Sequence, residues 1–161
     1  MKTRDIARFA LLTALAMVLS WVESLVSLSV AVPGVKLGLT NLVVLFALYR
    51  MGTRAAWCLS LVRVLLVSFT FGNAFSLWYS LAGAILSLLV MMALKATGKF
   101  SVTGVSVAGA VCHNLGQILV AMAVLRSTAV AFYYPSLVLS GTIAGVCIGL
   151  AGGVLVRRIR I

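Results

Sequence analysis

Glu23, Arg63 and His113 are ionisable residues that fall inside long apolar runs of this sequence. An ionisable side chain at membrane depth is costly and marks a functional site by default. Asn114 and Gln117 follow His113; positions 113 and 117 share a helical face and 114 borders it. Lys36 and Asn41 flank the start of a short apolar run, Arg126 ends another, and Trp78 and Tyr79 open a third. The chemistry these types suit is binding. Lys36, Arg63 and Arg126 stand against one acid, Glu23, so two positive charges are in excess with His113 neutral. A helix starting near Gly38 to Asn41 adds free N–H groups and the positive end of its dipole. The predicted substrate-binding set is therefore Glu23, Lys36, Asn41, Arg63, Tyr79, His113, Asn114 and Gln117, facing a carboxylate, a phosphate or another strongly polar group. The competing reading makes Glu23–Arg63 a structural ion pair, with Lys36 and Arg126 snorkelling to the interface and His113 hydrogen-bonded in the bundle.

The elements that position these residues follow from composition. Of 161 residues, 63% are hydrophobic and 9% charged, and the mean hydropathy is +1.22. A water-soluble domain could not hide that much apolar surface. The apolar runs cover about 7–31, 37–50, 54–71, 74–94, 103–125 and 132–156, each closed by Gly, Pro, Asn or charge. The expected fold is an all-α integral membrane protein: a single domain, 1–161, with six transmembrane helices. With the N-terminus inside, Lys2, Arg4, Arg8, Arg50, Arg54, Lys95, Lys99, Arg157, Arg158 and Arg160 all lie on the cytoplasmic side. Lys36 and Arg126 lie outside and Arg63 within a span, so the positive-inside rule predicts both termini inside. This placement, in small groups between spans, also argues against nucleic acid as a partner. The first run is too long for a signal peptide and is expected to be a retained helix in the inner (plasma) membrane. Cys58, Cys112 and Cys147 have no paired spacing, so neither disulfides nor a metal site is expected.

The second run is odd. Leu37 to Tyr49 makes about 20 Å of helix, against a hydrocarbon core of about 30 Å. The preceding Val32-Pro33-Gly34-Val35-Lys36 is therefore expected to dip into the outer leaflet as a partly re-entrant loop between the first two helices. The polar residues converge on the middle and outer half, which describes a pocket open to the outside rather than a channel. That pocket is expected among spans one, two, five and six. Gly141, Gly145, Gly149 and Gly153 repeat every four residues in the last span and suit close helix packing. Ala10 and Ala14 are a shorter small-residue pair in the first.

The stretch Val32-Pro33-Gly34-Val35-Lys36-Leu37-Gly38-Leu39-Thr40-Asn41, with its following helix ending in Leu48-Tyr49, resembles the signature of the Gx transporter family. Members are often labelled heptaprenyl diphosphate synthase component I. His113-Asn114 with Gln117 and the glycine-rich last helix are similar too, so the resemblance covers nearly the whole chain. Such proteins look like the substrate-binding S components of energy-coupling factor (ECF) transporters. The likeness implies a six-helix subunit binding a small molecule near the outer face, with Ala10 and Ala14 docking on a coupling subunit beside ATPase subunits. The enzyme label meets a chemical obstacle. Prenyl diphosphate synthesis of the usual kind holds Mg²⁺ with aspartate-rich motifs, and hard cations want several carboxylates. Asp5 and Glu23 are the only acids. The leading expectation is thus a non-enzymatic, cofactor-free transport subunit for a small polar or anionic molecule, surrounded by membrane lipid. The alternative is a non-catalytic membrane partner of a heptaprenyl diphosphate synthase or quinone-pathway enzyme, and a third class is a purely structural membrane subunit.

Overall fold

The computed structural model describes residues 3–26, 38–70 and 72–159. They form α1 (Thr3–Val26), α2 (Leu39–Arg50), α3 (Thr53–Thr70), α4 (Ala74–Thr97), α5 (Val102–Leu125) and α6 (Tyr134–Arg158), with a 3-10 segment over Thr128–Tyr133. There is no strand among the described residues. The junctions carry their own signals. Asn73 caps α4 by accepting from the Ser76 N–H at 2.8 Å, and Ser101 caps α5 by accepting from the Gly104 N–H at 3.1 Å. Gly98 ends α4 at φ 66°, a left-handed conformation that glycine adopts freely. Expected boundaries shift in three places. The first helix starts at Thr3 rather than near 7, with Asp5 and Arg8 paired at 3.8 Å on its first turns. The fourth runs on to Thr97, because Lys95 is held by a neighbouring helix. The last α-helix begins at Tyr134, after the 3-10 segment. The re-entrant loop expected at 32–36 lies outside the described residues, as does the predicted end of the first span.

Five stretches are long and apolar enough to cross a membrane: α1, α3, α4, α5 and the 3-10 segment continued by α6. The chain is a multi-pass membrane protein. Large side chains left exposed on this surface, among them Leu11, Leu65, Leu139 and Leu150, suit contact with lipid. α2 has only 12 residues, about 18 Å of helix. It is also the most enclosed helix: Val43, Val44, Leu45, Phe46, Ala47 and Leu48 are all buried. Apolar residues around the whole circumference call for burial on every side. α2 forms the centre of the core, where Leu45 and Leu48 meet Ala16 of α1, Leu59 of α3, Leu88 and Met91 of α4, Val105 of α5 and Ile148 of α6.

α4, α5 and α6 form the tightest part of the bundle. A Cβ on Gly145 would come within 2.7 Å of the Val107 Cα, and one on Gly149 within 2.6 Å of the Thr103 Cα. One on Gly141 would strike the Asn114 side chain at 2.7 Å. The pairing is antiparallel, so the next glycine of the stripe would face residues before the start of α5. Gly153 accordingly has nothing within 4 Å. Helix geometry contributes too: four residues advance about 400°, so each step drifts about 40° around the axis. On the other side of α5, a Cβ at Gly116 would meet the Ala82 carbonyl oxygen of α4 at 2.7 Å.

Candidate functional site

One cavity of about 290 Å³ lies at the end of the bundle where the N-terminus of α2 stops short. Its walls come from all six helices. α1 supplies Ser20, Glu23 and Ser24, α2 supplies Thr40 and Asn41 behind Gly38, and α3 supplies Arg63 with Val64 and Val67. α4 supplies Ser76 and Ser80, α5 supplies Ser106, His113, Asn114 and Gln117, and α6 supplies Gly141 and Gly145. The expected wall of helices one, two, five and six is therefore too narrow: α3 and α4 belong to it. Serines spaced by four, at 20 and 24 and again at 76 and 80, were the missed signal. Each pair falls on one helical face.

Two bonds tie the start of α2 to its neighbours. The Gly38 N–H donates to the Glu23 carboxylate, and the Arg63 guanidinium donates from Nη1 to the Thr40 hydroxyl. Gly38 sits at φ 72°, where a side chain would strain the backbone. Glu23 and Arg63 are both buried, 5% and 8% exposed, and their opposite charges attract one another. Arg63 Nε has no hydrogen-bond partner among the described residues, an unusual state for a buried donor. On the opposite wall, Asn114 donates through Nδ2 to the Leu137 carbonyl at 2.7 Å. That bond turns the amide nitrogen toward α6. The His113 ring rests on α4 at Gly83, where a Cβ would come within 2.9 Å of it.

Of the predicted binding residues, Glu23, Asn41, Arg63, His113, Asn114 and Gln117 thus line one cavity. Tyr79 does not line it. With Ser76 and Ser80 facing inward, position 79 lies about 60° around the helix from the first and about 100° from the second, and its side chain is half-buried elsewhere on α4. Lys36 lies outside the described residues. Arg126, counted toward the local charge, is the exposed left-handed cap of α5 at φ 48° and does not line the cavity. Among the described residues no group of three or more His, Cys, Asp or Glu could hold a metal ion. Ala10 and Ala14 are exposed on α1, away from the cavity.

A bundle of apolar helices around a cavity that carries buried charged and polar groups is the architecture of a polytopic membrane protein. The chain belongs to the heptaprenyl diphosphate synthase component I family, whose model matches residues 12–155, the same label that the Gx transporter resemblance carries. No curated protein and no solved structure matches it significantly.

Proposed function

We propose that this chain is the substrate-binding subunit of a membrane transport system, of the S-component type, for a small polar molecule. The observation that carries the reading is the cavity itself: buried charge, amides and hydroxyls enclosed by six otherwise apolar helices. Polar groups in a bundle interior cost stability unless they are satisfied, and a bound solute would satisfy them. Topology supports uptake. Helix ends carrying Arg4, Arg8, Arg50, Arg54, Lys95, Lys99, Arg157 and Arg158 lie opposite the cavity, so the positive-inside rule directs the cavity outward. Exposed aromatics at the cavity end, Phe69, Phe75, Trp78, Phe132 and Tyr133, suit the outer interface. Ala10 and Ala14, exposed on α1, would remain available for a coupling subunit.

The family's description favours a second reading, a non-catalytic membrane partner of a prenyl diphosphate synthase. The cavity weighs against a prenyl chain as its occupant. At about 290 Å³ it is small for seven isoprene units, and a hydrocarbon chain would leave Glu23, Arg63 and the amides and hydroxyls of its wall unsatisfied. Gentle purification separates the readings. Co-purifying ATPase and coupling subunits, with a small polar molecule retained on native mass spectrometry, support transport; a co-purifying soluble synthase supports the second. Orientation has its own test. Cysteines at Gly52 and Gly98 should react only with permeant reagents and one at Ser127 with impermeant ones; the reverse pattern turns the cavity to the cytoplasm.

A further inference from the structure

We infer that the molecule held in the cavity is a small zwitterion, its acidic group on Arg63 and its cationic group on Glu23. The inference rests on the binding reading above and adds the ligand's charge. Among the described residues, the cavity wall carries one base and one acid, so with His113 neutral its charge sums to zero. Both are buried, where any further ion brought in without a counter-charge is penalised by several kcal/mol. A net anion would gain Arg63 but meet Glu23 in the same small space; a net cation would have the opposite problem. A molecule carrying both charges presents each to its complement.

Further features fit. Arg63 spends Nη1 on Thr40 yet keeps a buried Nε with no partner among the described residues, so donor capacity remains on the base. Guanidinium groups bind carboxylates through paired donors. The Gly38 N–H donates to the Glu23 carboxylate and so fixes the acid at the cavity wall. The remaining polar wall, from Ser20 and Ser24 to Ser76, Asn114 and Gln117, adds donors and acceptors but, among the described residues, no further acid, lysine or arginine. The volume restricts the class to small compounds, on the scale of an amino acid.

The test uses the whole protein in mild detergent, with thermal stabilisation and calorimetry as readouts. The probes are free α-, β- and γ-amino acids, their amides, which keep only the positive charge, and their deaminated acids, which keep only the negative one. At least one amino acid should raise the melting temperature saturably, and either single-charge analogue should bind at least tenfold more weakly. Glu23→Gln should abolish the preference over the deaminated acid, and Arg63→Gln the preference over the amide. Should either variant fail to fold, the wild-type analogue series decides alone. Tighter binding of a single-charge analogue than of every amino acid overturns the zwitterion while leaving the cavity a binding site. So does a retained native molecule of one charge only. Absence of any retained molecule, together with no response to any probe, overturns both.

Discussion

The two ends of α2 handle the same problem, a cation packed against a helix terminus, in opposite ways. At the C-terminal end, Lys95 of α4 donates to the Leu48 carbonyl at 2.6 Å and lies over the Tyr49 ring, 4.9 Å from its centroid. Arg50 donates to the Val156 carbonyl near the end of α6. Helix C-termini are the negative end of the dipole and carry unpaired carbonyls, so the protein satisfies these cations itself. Arg50 also keeps a buried Nε without a partner, but it does not line the cavity. At the N-terminal end, Arg63 and Glu23 grip the first residues of α2 and still face open volume. One end is closed by backbone; the other opens onto the cavity. The contrast explains how a helix too short to span can sit in the centre: the depth it does not fill is the cavity.

The closed end should be the less forgiving. Gly149→Leu drives a side chain into the α5 backbone at Thr103, which cannot yield as a flexible side chain would. A cost of about 3 kcal/mol or more is expected, seen as loss of monodisperse folded protein in detergent. Gly153→Leu, into open space, should be nearly silent. Equal behaviour of the two variants would mean that the close α5–α6 approach is not what holds this end together.

At the open end, Arg63→Met removes a buried charge and strands Glu23. About 3 kcal/mol of stability should be lost, with Glu23→Gln in the same background restoring part of it. The double-mutant cycle should return a coupling of about 0.5–3 kcal/mol. A coupling indistinguishable from zero would separate the two charges and remove the symmetry proposed for the site.

The apolar helices, the short second helix and the convergence of Glu23, Arg63 and His113 were legible in the sequence, because lipid imposes a length and a hydropathy that few other solvents do. Less legible was the part played by serine. Ser76 and Ser80 bring α4 into the cavity wall, yet a serine in a membrane helix can satisfy itself on its own backbone and carries no diagnostic charge. Helical rotation corrected Tyr79, whose neighbour Ser80 holds the inward face. Antiparallel register corrected Gly153: a repeat of four says that a stripe exists, but only the partner's length says where it ends. Of the two excess positive charges read around the cavity, Arg126 proves to be a helix cap on the surface, while Lys36 lies outside the described residues.

Gln117→Ala probes the cavity without a buried charge. The side chain is half-buried on the wall, so folding should change little. Losing a contact to a charged ligand group costs about 1.5–3 kcal/mol, or about ten- to a hundredfold in affinity. Retention of the native molecule through purification, quantified by mass spectrometry, is the measure. Wild-type retention would shift the recognising contacts toward α1 and α3.

Lys95→Met is the smallest expected effect and the sharpest check on the comparison. The substitution keeps an unbranched apolar stem, so packing is preserved while the ammonium is lost. What disappears is the bond to Leu48 O, the contact with the Tyr49 ring and the favourable charge at the end of α2. Lys95 is only part-buried, so water can replace part of that bond and about 1 kcal/mol of stability should go. Ligand retention should stay at the wild-type level, since the change lies at the far end of α2 from the cavity. Lys95→Arg should recover most of the loss, because a guanidinium can still donate to the carbonyl. Should Lys95→Met instead weaken retention, the two ends of α2 are mechanically coupled, and the short helix would transmit events at the basic face to the site rather than divide one from the other.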